Sequence, residues 1–156
     1  MSIQKKFLAW LLLSLVLVIP AFAEEEGGEE GGLYGGKLVE LAKGKAWMEV
    51  VLDSEQSYLT VYLYESDKNT PLYLEAPRIE ATLHQITKDG EALLESSETV
   101  TFTAYEDVWG EEDVERNTSV FELMDERIAG SENAEVEFLE VKIGEETFKN
   151  IRFSFR

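Results

Sequence analysis

The chain contains no cysteine, one histidine and three prolines among its 156 residues. The absence of cysteine excludes disulfides, thiolate metal sites, cysteine nucleophiles and a lipid anchor attached through cysteine. A single histidine excludes the multi-histidine sites in which proteins usually hold zinc. Basic residues are also scarce, with 14 Lys and Arg against 32 Asp and Glu. Nucleic acids and anionic lipid surfaces are bound through basic patches, so we expect neither as a partner.

Recognisable catalytic signatures are missing as well. The sequence has no H-E-x-x-H, no G-x-S-x-G and no phosphate-binding or dinucleotide-binding glycine loop. Paired carboxylates can cleave glycosides, but with 32 acidic residues coincidental pairs are certain to occur. His84 falls on the polar side of its segment beside Thr82, where we interpret it as a solvated strand residue. We therefore predict that the protein is not an enzyme and keep a hydrolase only as a third hypothesis.

Long apolar runs are confined to the first 23 residues. Two lysines precede an uncharged run over residues 7–19, Pro20 ends it, and Ala21 and Ala23 supply the small side chains that signal peptidase requires. The run is shorter than the ~20 residues that a membrane-spanning helix needs. We predict a cleaved signal peptide over residues 1–23. The protein would then be exported, periplasmic or extracellular, with no stable membrane insertion after cleavage.

The expected mature chain begins with an acidic, glycine-rich segment. Residues 24–32 read EEEGGEEGG, in which glycine favours disorder and the glutamates repel one another. We predict a flexible leader here and a single folded domain over residues 33–156. Removal of the signal peptide takes two lysines away, which leaves 12 basic against 32 acidic residues and a net charge of −20.

Hydrophobic periodicity in this domain is that of β-strands. In the segment 58–64, Leu59, Val61 and Leu63 point one way while Tyr and Thr side chains point the other. Related patterns recur at 38–41, 47–52, 72–74, 78–86, 99–105, 120–124, 136–143 and 148–155. Roughly seven to nine short strands with at most one short helix, at 125–129, are typical of an antiparallel β-sandwich or barrel. We predict an all-β fold, an antiparallel β-sandwich that is immunoglobulin-like or similar.

Aromatic residues collect on the predicted outer face of two of these strands. They are Trp47, Tyr58, Tyr62 and Tyr64. Flat rings on one sheet face stack on sugars or pack against another protein, which makes these residues a candidate ligand-binding face. The alternatives are that another part of the fold covers this face, or that β-propensity alone selected the residues.

A second candidate is the acidic segment 107–115. Its carboxylates Asp107, Glu111, Glu112 and Asp113 offer the hard oxygen ligands that calcium prefers, although the spacing is not that of an EF-hand. A solvated acidic loop is the competing interpretation. We expect no cofactor if this segment is only a solvated loop, and a divalent cation such as calcium if its carboxylates form a site.

Three short segments are similar to a group of small, largely uncharacterised exported bacterial proteins. They are Tyr-Gly-Gly-Lys-Leu-Val from Tyr34, Gly-Lys-Ala-Trp-Met-Glu-Val from Gly44 and Leu-Thr-Val-Tyr-Leu from Leu59. The group has His-Gly-Gly-x-[Leu/Val], Gly-Lys-x-His-x-Glu and Thr-Val-Tyr strands, and the resemblance implies periplasmic metal handling. In this chain Tyr34 and Trp47 replace both histidines, so the implied transition-metal role does not transfer to these positions.

These observations lead to two functional hypotheses. The first is an exported, non-enzymatic β-sandwich module that binds or supports an envelope protein or glycan through a sheet face or edge that includes the aromatic residues. The second is a periplasmic metal-handling protein that binds a divalent ion through carboxylates.

Overall fold

The computed structural model describes residues 29–41, 43–76, 78–105 and 118–156. Its elements are β1 (Glu29–Glu30), β2 (Lys37–Leu41), β3 (Ala46–Asp53), β4 (Tyr58–Glu65), β5 (Arg78–Lys88), β6 (Glu91–Ala92), β7 (Glu98–Ala104), β8 (Val120–Met124), the 3-10 helix η1 (Glu126–Ile128), β9 (Asn133–Ile143) and β10 (Glu146–Phe155). The predicted signal peptide and the four predicted calcium ligands lie outside the described residues. Within the described ranges, no helix is long and apolar enough to cross a membrane.

All ten strands in the described ranges belong to one antiparallel sheet, which confirms the all-β prediction. The hydrogen-bonded order is β1-β2-β3-β4-β8-β7-β5-β9-β10, with β6 paired to β5. The sheet curls until it is nearly closed and barrel-like. Of the two arrangements that the strand pattern allowed, the structure is therefore closer to the barrel than to the two separate sheets of an immunoglobulin-like sandwich.

Long, bent strands explain why one sheet suffices. Strands β5 and β9 each span 11 residues and β10 spans 10. The β5–β9 register shifts between Leu83 and Gln85, and such an irregularity bends a strand and increases its twist. A strongly coiled sheet buries its concave face against itself, so no second sheet is required.

The core lies on this concave face and follows the predicted alternation. Leu59, Val61 and Leu63 of β4 are buried, as are Ile151 and Phe153 of β10. Four fully buried phenylalanines fill the centre: Phe102, Phe121, Phe138 and Phe153. The ring of Phe138 lies 5.1 Å from that of Phe102 and meets Phe153 edge-on at 5.8 Å. Both contacts fall in the range of favourable aromatic pairs, so these rings link β7, β9 and β10.

The short helix and the N-terminal boundary are the two remaining local features. Asp125 caps η1 by accepting from the Arg127 backbone N–H, which agrees with the predicted strand followed by one helical turn.

At the N-terminus, Glu29–Glu30 pairs with Leu38 and Lys37 of β2. The ordered sheet therefore begins inside the segment 24–32, earlier than the boundary at residue 33 that composition predicted, because β2 offers an edge to which those residues can bond.

Candidate binding face

The outer face of β3, β4 and β8 gathers most of the predicted aromatic residues. Trp47 lies opposite Tyr64 and Glu49 lies opposite Tyr62 in the β3–β4 ladder. Alternation turns these four side chains away from the core. Tyr58 shares the face but lies four residues from Tyr62 along β4, about 14 Å away at the usual rise per residue. The structure thus brings Trp47, Tyr62 and Tyr64 together and leaves Tyr58 at the far end of the strand.

A buried carboxylate, which the sequence analysis did not single out, lies at the centre of this face. Glu49 has no solvent exposure. Its Oε1 accepts hydrogen bonds from the backbone N–H of Tyr34 at 3.0 Å and of Gly36 at 2.8 Å, and its Oε2 accepts from the Tyr64 hydroxyl at 2.7 Å. A buried carboxylate is tolerated only when such donors replace water. These bonds therefore tie the loop over residues 31–36 down onto the sheet.

Glycine is needed in this loop for close approach to β3. A Cβ atom on Gly36 would lie 2.5 Å from the carbonyl oxygen of Val50 and 2.7 Å from Val51 Cγ2. Gly35 has a φ of 77°, a conformation that side chains disfavour. The sequence signal that could have pointed to Glu49 is the Gly35-Gly36 pair, which this acid follows 13 residues after Gly36.

The tied loop places Tyr34 on top of Tyr62. The two ring centroids are 4.1 Å apart with an interplanar angle of 22°, and Tyr34 remains 61% exposed. Burial, followed by the proximity of Tyr34 and Glu122, raises the pKa of Tyr62. Burial and the hydrogen bond to Glu49 raise the pKa of Tyr64 as well. Both phenols consequently stay protonated at neutral pH.

Beyond Tyr62 the face continues into β8 and the end of β7. Glu122 pairs with Thr60 and so lies diagonally from Tyr62, while the Tyr105 N–H bonds to the Val120 carbonyl at 3.0 Å. Tyr105 is 51% exposed and Glu122 is half-buried. Burial raises the pKa of Glu122, and no Lys or Arg in the described part of the chain pairs with it. We call the four residues of this patch the tyrosine–carboxylate site: Tyr34, Tyr62, Tyr105 and Glu122.

Next to this site an internal ammonium already covers an aromatic ring. The Lys68 Nζ atom lies 3.6 Å from the centroid of the Trp47 ring. Lys68 has a φ of 59°, and Asp67 stabilises its turn by accepting from the backbone N–H groups of Asn69 and Thr70. The indole N–H of Trp47 is buried and has no hydrogen-bond partner among the residues that the structure describes. Trp47 thus binds a cation through its ring face.

His84 lies on a different part of the sheet and is less solvated than predicted. Its Nδ1 lies 3.0 Å from the Ser97 hydroxyl and its Nε2 lies 2.6 Å from Glu137 Oε2. Arg152 donates to the same carboxylate oxygen at 2.8 Å and holds the pKa of Glu137 below its ordinary value. Ser97, His84 and Glu137 are connected in the same order as a Ser-His-Asp triad. In that triad the serine contacts Nε2 and the acid contacts Nδ1, whereas here Ser97 contacts Nδ1 and Glu137 contacts Nε2. We interpret the cluster as a network that joins β5, β9 and β10.

The described residues show no other site that matches the sequence predictions. No group of three or more His, Cys, Asp or Glu side chains within residues 29–41, 43–76, 78–105 and 118–156 is arranged to hold a metal ion. Asp107, Glu111, Glu112 and Asp113 lie outside those ranges, so calcium binding by them stays a prediction.

Comparison with known proteins leaves the family open. No protein-family model, curated protein or solved structure matches the chain. The resemblance of residues 34–63 to small exported bacterial proteins therefore stays an expectation.

Proposed function

We propose that the protein is an exported, non-enzymatic β-domain that binds a protein or glycan partner in the cell envelope. The partner would dock on the outer face of β3, β4 and β8, where the tyrosine–carboxylate site and Trp47 lie. Export is an expectation from residues 1–23 alone, and the absence of catalysis is an expectation from the motifs that the sequence lacks.

The observation that carries the proposal is the way Tyr34 is held. A fully buried carboxylate with three hydrogen bonds fixes a glycine-containing loop, and that loop presents a 61% exposed ring stacked on Tyr62. A loop that served only to cover the sheet would turn its aromatic side chain inward. Rigid exposed rings contribute contact area at a small entropic cost, which is the property of an interface residue.

Site-specific photocrosslinking tests the binding face. Benzoylphenylalanine replaces Tyr34 in one variant of the exported protein and Leu93 in the control, since Leu93 is exposed but belongs to the β6 region. We expect a discrete covalent adduct with an envelope component from position 34, and loss of that adduct when Tyr62→Ala is added. Equal adduct yields from the two positions, or none from position 34, would contradict the proposal.

Export is tested separately by mass analysis of the N-terminus. After expression with the leader in a Gram-negative host, we expect the purified protein to begin at Glu24. Retention of Met1 in a membrane fraction would show that residues 1–23 act as an anchor.

A further inference from the structure

We propose that the tyrosine–carboxylate site binds a cationic side chain, the ammonium of lysine or the guanidinium of arginine, presented by a partner polypeptide. This inference rests on the proposed binding function and specifies the chemistry of its ligand. It follows from a carboxylate that lies among aromatic rings and has no cationic partner in the described part of the chain, from a cation already bound on the adjoining ring, and from the charge of the whole chain.

The first step is the chemistry of the four side chains. Tyr34 and Tyr105 are 61% and 51% exposed, so both rings are accessible to a ligand. Glu122 lies between β4 and β7, diagonal to Tyr62, and is half-buried. Aromatic ring faces and a carboxylate both attract cations, and together they favour a cation over a neutral or anionic group.

Glu122 lacks a cationic partner among the described residues. Two other half-buried carboxylates have a cationic partner: Asp125 pairs with Arg127 at 2.6 Å and Glu137 with Arg152 at 2.8 Å. Glu122 has no such partner among the described residues, although burial removes part of its hydration. A bound ammonium or guanidinium would supply the missing charge, whereas a neutral sugar stacked on the rings would leave Glu122 further desolvated and unpaired.

The third step is the neighbouring pair of Lys68 and Trp47. An ammonium 3.6 Å from the ring centroid shows that this face can hold a cation in the geometry of a cation–π contact. Lys68 belongs to the turn between β4 and β5 and serves as an internal example of the ligand. An incoming basic segment would extend the same arrangement from Trp47 across to Tyr34 and Tyr62.

The fourth step is long-range attraction. The chain has a net charge of −18, and a strongly acidic surface accelerates the encounter with a basic partner and repels acidic ones. General attraction is not specificity, so the experiment must separate Glu122 from the other acidic residues.

The test measures binding of acetylated tetralysine amide and tetra-arginine amide to the purified exported protein by calorimetry. We expect Glu122→Gln to weaken binding about tenfold, as loss of a partly desolvated ion pair does. Glu145→Gln is the matched control because it removes the same charge from an exposed turn, and it should change the affinity less than about twofold. Tyr34→Ala should weaken binding about two- to fivefold, the value of an exposed cation–π contact, while Tyr34→Phe retains it.

Three outcomes would overturn the inference. Neither peptide binds, or Glu122→Gln and Glu145→Gln reduce the affinity equally, or chitotetraose binds in a manner that depends on Tyr34 and not on Glu122. In each case the Tyr34 crosslink to an envelope component can persist, so this inference fails while the proposed function stands. Loss of that crosslink would instead remove the proposed function itself.

Discussion

At the scale of single residues, the Glu49 carboxylate accepts three hydrogen bonds in a place without solvent exposure. Glu49→Ala removes all three acceptor contacts and leaves the Tyr34 and Gly36 N–H groups and the Tyr64 hydroxyl without a partner. We expect a loss of about 3 kcal/mol or more in the free energy of unfolding, measured in urea. Tyr64→Phe removes one donor and should cost less.

The control for this prediction is an exposed acid. Glu145→Ala, in the turn between β9 and β10, should change the free energy of unfolding by less than about 0.5 kcal/mol. If Glu49→Ala cost no more than Glu145→Ala, the carboxylate would be solvated and the loop over residues 31–36 would not be tied to it.

Glu122 and Asp125 should respond to pH in opposite directions. Burial raises the pKa of Glu122, so the folded state binds its proton more readily than the unfolded state, and the penalty appears as pH rises through the folded pKa. Hydrogen bonding to Arg127 lowers the pKa of Asp125, so its contribution is present above the ordinary aspartate value and is lost as pH falls through the folded pKa.

The two amide variants test this contrast through melting temperature. At about pH 7, Glu122→Gln should raise Tm and Asp125→Asn should lower it. Both differences should shrink as the pH falls, that of Glu122 first because its pKa is raised, and that of Asp125 only at lower pH because its pKa is lowered. Asn can still cap η1 through its side-chain oxygen, so the Asp125→Asn effect reports the loss of the charge-assisted contacts that both carboxylate oxygens accept from the Arg127 guanidinium. Differences that keep their size at acid pH would show that packing, not ionisation, distinguishes these residues.

At the scale of elements, the phase of β10 decides which side chains build the core. Phe153 is fully buried and meets Phe138 edge-on, whereas Ser154 is half-exposed. We expect Phe153→Ala to lower the free energy of unfolding by about 3–5 kcal/mol and Ser154→Ala by less than about 1 kcal/mol. Equal effects would place the strand one residue out of register, because a slip of one residue exchanges the two faces.

Local alternation is also what made the fold predictable. The strands β3 and β4, and the part of β10 that follows Asn150, are predicted by period-two patterns that need no knowledge of distant residues. In β9 that pattern breaks: Val136 and Phe138 are buried, and then Val141 is, so the phase changes. Asn150 lies opposite this point in β10 and has a φ of 57°. The periodicity of the sequence does not predict this left-handed backbone conformation. The curl of the sheet depends on such irregularities in its long strands. Because the sequence pattern does not show them, it predicted a sandwich and not a nearly closed sheet.

Some residues of the candidate site could be predicted from local alternation and others could not. Trp47, Tyr62 and Tyr64 lie on two adjacent strands, so alternation alone placed them on one face. Tyr105 and Glu122 join them only because β8 pairs with both β4 and β7, a long-range contact that composition does not encode. The position of Tyr34 depends on the loop that Glu49 holds, and a glutamate on an alternating strand suggests solvent exposure unless its hydrogen-bond donors are known.

At the scale of the whole molecule, repulsion among the acidic side chains destabilises the compact, nearly closed sheet. The chain has 32 acidic and 14 basic residues. Between the β2–β3 turn and β10, Lys45 and Glu146 form an exposed ion pair at 3.2 Å, a type of contact worth little in water. The core, not ion pairing, must therefore balance the mutual repulsion of the acidic residues, and that repulsion is weakened by salt.

Sodium chloride should accordingly stabilise the fold gradually, since the Debye length falls to ~10 Å at 0.1 M. We expect calcium to raise Tm no more than sodium does at equal ionic strength, because the acidic segment lacks the ligand order of an EF-hand. The measurement compares Tm during sodium and calcium titrations of the wild-type protein and of a variant with Asp107→Asn, Glu111→Gln, Glu112→Gln and Asp113→Asn. A ligand that binds only the folded state stabilises it in a saturable way. Saturable stabilisation by micromolar calcium, lost in the amide variant while the sodium effect remains, would favour divalent-metal handling over the binding of a polypeptide partner.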